Sequence, residues 1–155
     1  MQLNAPEQDV AALTVQALSK ALGDRLVAVA LFGSRARGQA GTQSDWDLLV
    51  VVRDLPESPL ERLISLKRLL PPGCEAISLL PRTPEEFEDH LPSLYLDIAL
   101  DGKILYDPRG YLAERLSHLR RLIEDLGLYR EWTEEGHEWR WRKQPTGPWA
   151  PRLKA

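Results

Sequence analysis

Cysteine, methionine and phenylalanine are nearly absent: one Cys, one Met and two Phe in 155 residues. A lone Cys74 excludes an intrachain disulfide, and His90, His118 and His137 are too scattered to supply a zinc-ligand spacing. Set in an apolar run, Cys74 reads as a reduced core thiol, which points to a cytoplasmic protein. No apolar stretch reaches the roughly 18 residues of a membrane helix. Met1-Gln2-Leu3-Asn4-Ala5-Pro6 lacks the pattern of a secretory leader, so neither a membrane span nor a signal peptide is expected. Positive charge is not in excess either. The formal net charge of −3 argues against a protein that binds nucleic acid over its whole surface.

What is present suits one globular domain with a single core: 43% hydrophobic and 28% charged residues. From Glu7 to Leu22, apolar residues at Val10, Leu13, Ala17, Leu18, Ala21 and Leu22 predict an amphipathic helix that Gly23 ends. Leu26–Phe32 is too continuously apolar to be half exposed and reads as an interior strand. A second strand is expected over Asp45–Val52, and residues 38–44, rich in Gly, Gln, Thr and Ser, form the loop between them. Pro56-Glu57-Ser58-Pro59 opens a helix over residues 60–70, which Pro71-Pro72-Gly73 stops. A third strand over 74–80 precedes Pro81. Thr83-Pro84-Glu85-Glu86 then combines an N-cap, a proline at the first helical position and acids in the first turn. Ser93–Leu100 reads as helix, Lys103–Tyr106 as a short strand, and a long helix runs from Asp107-Pro108 to Leu126. Helices alternating with apolar strands predict a two-layer α/β or α+β domain.

The chemistry lies where the first strand ends and the second begins. Gly33 can take positive φ and lets the backbone approach a ligand closely. Ser34 adds a hydroxyl, and Arg35 and Arg37 supply guanidinium forks that match phosphate oxygens. Ten residues on, Asp45 and Asp47 share one face of a strand while Trp46 takes the other. Their Cα atoms lie roughly 6.5 Å apart at about 3.3 Å per residue, close enough to hold Mg²⁺ together. Either half alone is an ordinary turn or a solvated strand start. Both halves in this order point to a metal-bound nucleoside triphosphate, with Asp45 and Asp47 as metal ligands and catalytic acids.

Gly33-Ser34-Arg35-Ala36-Arg37-Gly38 followed by Ser44-Asp45-Trp46-Asp47-Leu48 resembles the signature of the minimal nucleotidyltransferases of the DNA polymerase β superfamily. This branch includes the antitoxin partners of HEPN-domain proteins. The match is dense over residues 26–52. It thins through residue 126, where Arg82-Thr83-Pro84-Glu85-Glu86-Phe87 and Gly102-Lys103-Ile104-Leu105-Tyr106-Asp107 resemble family wording. The resemblance implies a mixed β-sheet flanked by helices over residues 1–126 and use of Mg²⁺ with ATP as substrate. It also implies transfer of a nucleoside monophosphate to a hydroxyl. Gly33, Ser34, Arg35 and Arg37 would bind the phosphates. A tyrosine of a HEPN-type partner is the implied acceptor, and small molecules such as aminoglycosides are alternatives.

Family members carry a third acid on the next strand, and here Ser78 stands at its expected position. Glu75 has the opposite strand parity, and Asp97 and Asp101, at i,i+4 spacing, read as a solvated helix face. A catalytically weak or inactive antitoxin-like subunit, acting by binding a HEPN-type partner, is therefore the alternative to an active transferase. The remaining segment, 127–155, holds Trp132, Trp139, Trp141 and Trp149 interleaved with Arg140, Arg142, Lys143, Arg152 and Lys154. It is expected to be an irregular extension that packs on the core or on a second subunit, a homo-oligomer included. Covering the nucleotide, or binding single-stranded nucleic acid, are its other uses.

Overall fold

The apolar run after Gly23 becomes β1 (Leu26–Phe32), and it is buried on both faces, as its continuous pattern demands. The computed structural model describes residues 5–39 and 45–142. Ser44 and the rest of 40–44, and Lys143, Trp149, Arg152 and Lys154 in 143–155, lie outside the described residues. The chain begins with α1 (Ala5–Leu22) and a 3₁₀ turn, Gly23–Arg25, before β1. β2 (Trp46–Val52) follows, then α2 (Pro59–Lys67), β3 (Ile77–Arg82), α3 (Pro84–Asp89), α4 (Ser93–Asp101), β4 (Lys103–Tyr106) and α5 (Tyr111–Leu126). A separate two-stranded ribbon, β5 (Leu128–Thr133) and β6 (Gly136–Trp141), closes the described chain.

The main sheet is mixed, in the order β3-β2-β1-β4. β1 runs antiparallel to β2 and β4, while β3 runs parallel to β2. A parallel neighbour needs a crossover, and α2 supplies it. Helices cover both faces, giving three layers instead of the two expected from the alternation. One core holds Leu18 of α1 and Leu66 of α2 against Val29, Leu48, Val50 and Leu79. The other packs Phe87, Tyr95, Leu96, Ile98, Leu112, Leu116 and Leu119 of α3 to α5 against Ala28, Ala30, Leu49 and Val51. Cys74 is buried under α1, where Thr14 Oγ1 donates to its sulfur at 3.5 Å.

Two boundaries differ from expectation for identifiable reasons. β3 begins three residues later than expected and runs through Pro81 to Arg82. It is an edge strand, and there the missing proline N–H can face outward without breaking the ladder. The second difference is larger. Residues 128–141 form a hairpin, where an irregular segment was expected. Its strands alternate: Leu128, Arg130 and Trp132 share a face with Trp141, Trp139 and His137, their directly paired residues. Leu128 and Trp139 pack against the core of α3 to α5. Arg140 bonds Glu131 and Glu138 on the other face, and Arg142 N–H donates to the Gly127 carbonyl at 2.7 Å. Interleaved cations masked a two-residue period that the aromatic residues favour.

Glu86 joins the crossover to the second layer. Its carboxylate receives both Arg62 Nη groups, at 2.6 and 2.7 Å, and the Thr83 N–H at 3.0 Å, which completes a capping box at the start of α3. Arg62 is buried, and it also donates to the Pro56 carbonyl. The Arg62 hydrogen bonds are the main reason the Glu86 carboxyl is lowered from 4.5 to about 2. Because the folded value lies below the unfolded one, the contribution is complete above pH 4.5 and fades as the pH falls toward 2. Glu86→Gln should therefore lower stability by about 2 kcal/mol at neutral pH. The difference from wild type should shrink across that acid window in denaturant titrations.

Candidate active site

The sheet register brings the two sequence motifs together. Phe32, the last residue of β1, pairs with Asp47, the second residue of β2. The chain then leaves β1 through Gly33 at φ +78° and winds into a short helical turn, with Arg37 N–H bonded to the Gly33 carbonyl at 3.2 Å and Gln39 N–H to that of Ser34 at 2.9 Å. N–H groups at the start of such a turn have no internal acceptor and favour anions.

Gly33 and Asp47 are in intimate contact. A Cβ on residue 33 would stand 2.4 Å from Asp47 Oδ2, so only glycine lets this carboxylate lie against the turn. Asp47 is partly buried, and its carboxyl is raised above the ordinary aspartate value by burial first and by the charge of Asp45 second, while Arg37 opposes both. Asp45 lies just outside the strand and is exposed. A carboxylate whose proton affinity is raised by burial and by a second carboxylate beside it makes, with that neighbour, a donor set for a cation. Among the described residues no three His, Cys, Asp or Glu side chains form a metal cluster. The pair therefore suits an ion whose other ligands are phosphate oxygens and water, which is how Mg²⁺ is commonly held.

The two arginines of the turn part company. Arg35 stacks on Trp46, its guanidinium carbon 4.4 Å from the ring centroid, and Trp46 packs into the core beneath α1 and α2, opposite Asp47. Arg37 lies on the carboxylate side. Its Nη1 is 3.8 Å from Asp101 Oδ2, its Nε donates to Gln39 at 3.1 Å, and its guanidinium carbon is 5.6 Å from the Trp132 ring centroid. Ser78 pairs directly with Asp47 across the parallel β2–β3 ladder and is exposed, so the position flanking Asp47 carries a hydroxyl and no acid. Glu75 lies before β3 and accepts from the Gly73 N–H at 3.0 Å.

Asp97 and Asp101 correct the expectation of a solvated helix face. Their side chains are only 15% and 13% exposed. Arg130 of β5 binds both Asp101 oxygens, at 2.5 and 2.9 Å, and Asp97 Oδ1 at 3.4 Å. Trp139 Nε1 and His137 Nε2 reach the same Asp97 oxygen at 3.0 and 2.8 Å. The hairpin thus covers this face of α4 and reaches the turn. The sequence signal was the i,i+4 acid pair read together with an arginine on the tryptophan side of an alternating strand.

A family model described as a nucleotidyltransferase domain matches residues 14–106. A curated protein named "Putative protein adenylyltransferase MJ1305", from Methanocaldococcus jannaschii, is 28% identical over 131 residues, 81% of this chain and 88% of that protein. Among solved structures, a chain of a toxin–antitoxin crystal structure with AMP-PNP is 17% identical, with TM-score 0.48 over 72% of this chain and 89% of its own. A chain from the complex of tri-AMPylated Shewanella oneidensis HEPN toxin with MNT antitoxin is 16% identical, with TM-score 0.47 over 76% and 90%.

Two substitutions test the geometry without any assay of activity. Gly33→Ala should cost about 1–3 kcal/mol, since it adds both strain at positive φ and a clash with Asp47. Asp47→Asn should do the reverse in the ligand-free protein, raising Tm by a few degrees by removing a partly desolvated, repelled charge. Thermal melts of the two variants should diverge in opposite directions from wild type.

Proposed function

The chain belongs to the nucleotidyltransferase domain family, and on that premise we propose that it is a Mg²⁺-dependent adenylyltransferase acting on a hydroxyl of a partner protein. The observation that carries this reading is the contact of Gly33 with Asp47, beside Asp45 and on the side of the turn that Arg37 occupies. The protein-adenylyltransferase name of the archaeal relative supports AMP as the group transferred and a protein as acceptor. The antitoxin-type signature within residues 26–52 supports a HEPN-type partner offering a tyrosine.

In this reading the Gly33 turn admits the β- and γ-phosphates close to the backbone, with Ser34 and Arg37 donating to their oxygens. Arg35, stacked on Trp46, acts less directly by fixing the turn against β2. Asp45 and Asp47 would hold Mg²⁺, which, when bound, neutralises phosphate charge and orients the α-phosphate. The acceptor oxygen attacks the α-phosphorus, the bond to the β-phosphate oxygen breaks, and pyrophosphate leaves. The hydroxyl proton passes to solvent or to a carboxylate. Raised proton affinity at Asp47 in the ligand-free state is the electrostatic cost of assembling this site, and a divalent ion relieves it.

Ser78 favours a second reading. With a hydroxyl beside Asp47, the chain has no third carboxylate there to accept the acceptor proton. It would then be a slow transferase, or a nucleotide-binding subunit that acts by contact with its partner. Radiolabelled ATP with Mg²⁺ and the candidate partner separates the two. Transfer should fall by about 100-fold or more in Asp45→Asn, and Ser78→Asp should raise a slow transfer about 10-fold or more. Tight complex formation with no label transfer in any of these proteins would leave the binding role alone.

A further inference from the structure

The ion cluster beside the turn supports a further role, which rests on the reading of that turn as a triphosphate site. Asp101 faces two guanidinium groups from different parts of the chain. It gives both oxygens to Arg130 of the hairpin, at 2.5 and 2.9 Å, and stands 3.8 Å from Arg37 Nη1 of the turn. The first is a bidentate, charge-assisted pair, whereas the second is beyond hydrogen-bond length. Asp47 feels the charge of Arg37, and the other described contacts of the guanidinium are neutral, the Gln39 side-chain carbonyl at 3.1 Å and the Trp132 ring at 5.6 Å. These orient the guanidinium without spending its charge. Asp97 Oδ1 is taken up by Arg130, His137 and Trp139.

Remove Arg130, and this balance changes. Asp101, largely buried, would be left with Arg37 as its ion-pair partner among the described residues, and an uncompensated carboxylate in a partly desolvated site draws in any cation within reach. A modest swing would turn the 3.8 Å contact into a forked pair, and a triphosphate would then have to displace a carboxylate from Arg37.

We propose that Arg130 is a positioning residue of the nucleotide site: by neutralising Asp101 it keeps Arg37 available to the phosphates. The β5–β6 hairpin is on this account part of the binding site, although the family model that matches the chain ends at residue 106. Trp132 supports the arrangement. Its ring lies 5.2 Å from the guanidinium carbon of Arg130 and 5.6 Å from that of Arg37, so one aromatic surface attracts both like charges.

The role predicts an order of affinities that a scaffold residue would not give. The probe is a non-hydrolysable ATP analogue with Mg²⁺, titrated by calorimetry against the full chain. Arg130→Met should weaken binding about 10-fold or more, the value of a charge-assisted phosphate contact. Arg130→Lys, which keeps the charge without the fork, should fall between Arg130→Met and wild type. The double variant Arg130→Met/Asp101→Asn should return to within about 3-fold of wild type, because the competing carboxylate is gone. Near-UV circular dichroism of the tryptophans checks that the hairpin stays docked in each variant. Wild-type affinity in Arg130→Met, or a double variant as weak as Arg130→Met, would overturn the role while leaving the triphosphate site intact. A wild-type chain that binds no analogue would overturn both.

Discussion

The absence of a side chain at residue 33 is the constraint on which the site depends. β1 and β2 are antiparallel, so the exit of one lies beside the entry of the other, and Phe32 is paired with Asp47. Asp47 can occupy that corner because nothing projects from the turn to meet it. A larger residue would have to push away either the turn or the carboxylate, and the two would part. Everything else in the fold keeps this corner in place. Leu48 to Val52 are buried on alternating faces between two helical layers, which leaves β2 no freedom to slide.

The corner is charged, and the surrounding elements distribute that charge unequally. On one side, Arg35 and Trp46 stack and lock the turn to the face carried by α1 and α2. On the other, Arg37 stands among Asp47, Asp101 and Trp132. α4 and the hairpin, which have no part in the sequence signature, therefore set the electrostatic surroundings of a residue that does. The family model stops before the hairpin, yet Arg130, His137 and Trp139 hold the α4 carboxylates that border the turn.

Local periodicity made most of the fold legible. The alternation of strand and helix, the proline and glycine stops, and the N-cap, proline and acids of Thr83-Pro84-Glu85-Glu86 all mark elements that the structure contains. That the Gly33 turn and Asp47 would meet was visible because residue type and short spacing set the exit of one strand beside the entry of the next. Contacts between distant segments were not. Nothing local to Asp97 and Asp101 announces that an arginine 29 or more positions later will bury them. The hairpin was obscured in the same way, since Arg130, Glu131, Glu138 and Arg140 look solvated until the strand pairing assigns them to opposite faces. Helices on the second face of the sheet were hidden too, because layer count depends on where a helix docks and not on its own pattern.

Cys74 has a practical consequence of its own. It is the single thiol of the chain, it is buried, and Thr14 of α1 lies directly over its sulfur. An alkylating reagent can reach it when the first helix lifts from the sheet or the chain unfolds. The speed of its modification is thus a built-in clock for that lifting. Slowing of that clock by nucleotide would reveal, in solution and without any added dye, that the corner where β1 ends and the packing of α1 are coupled.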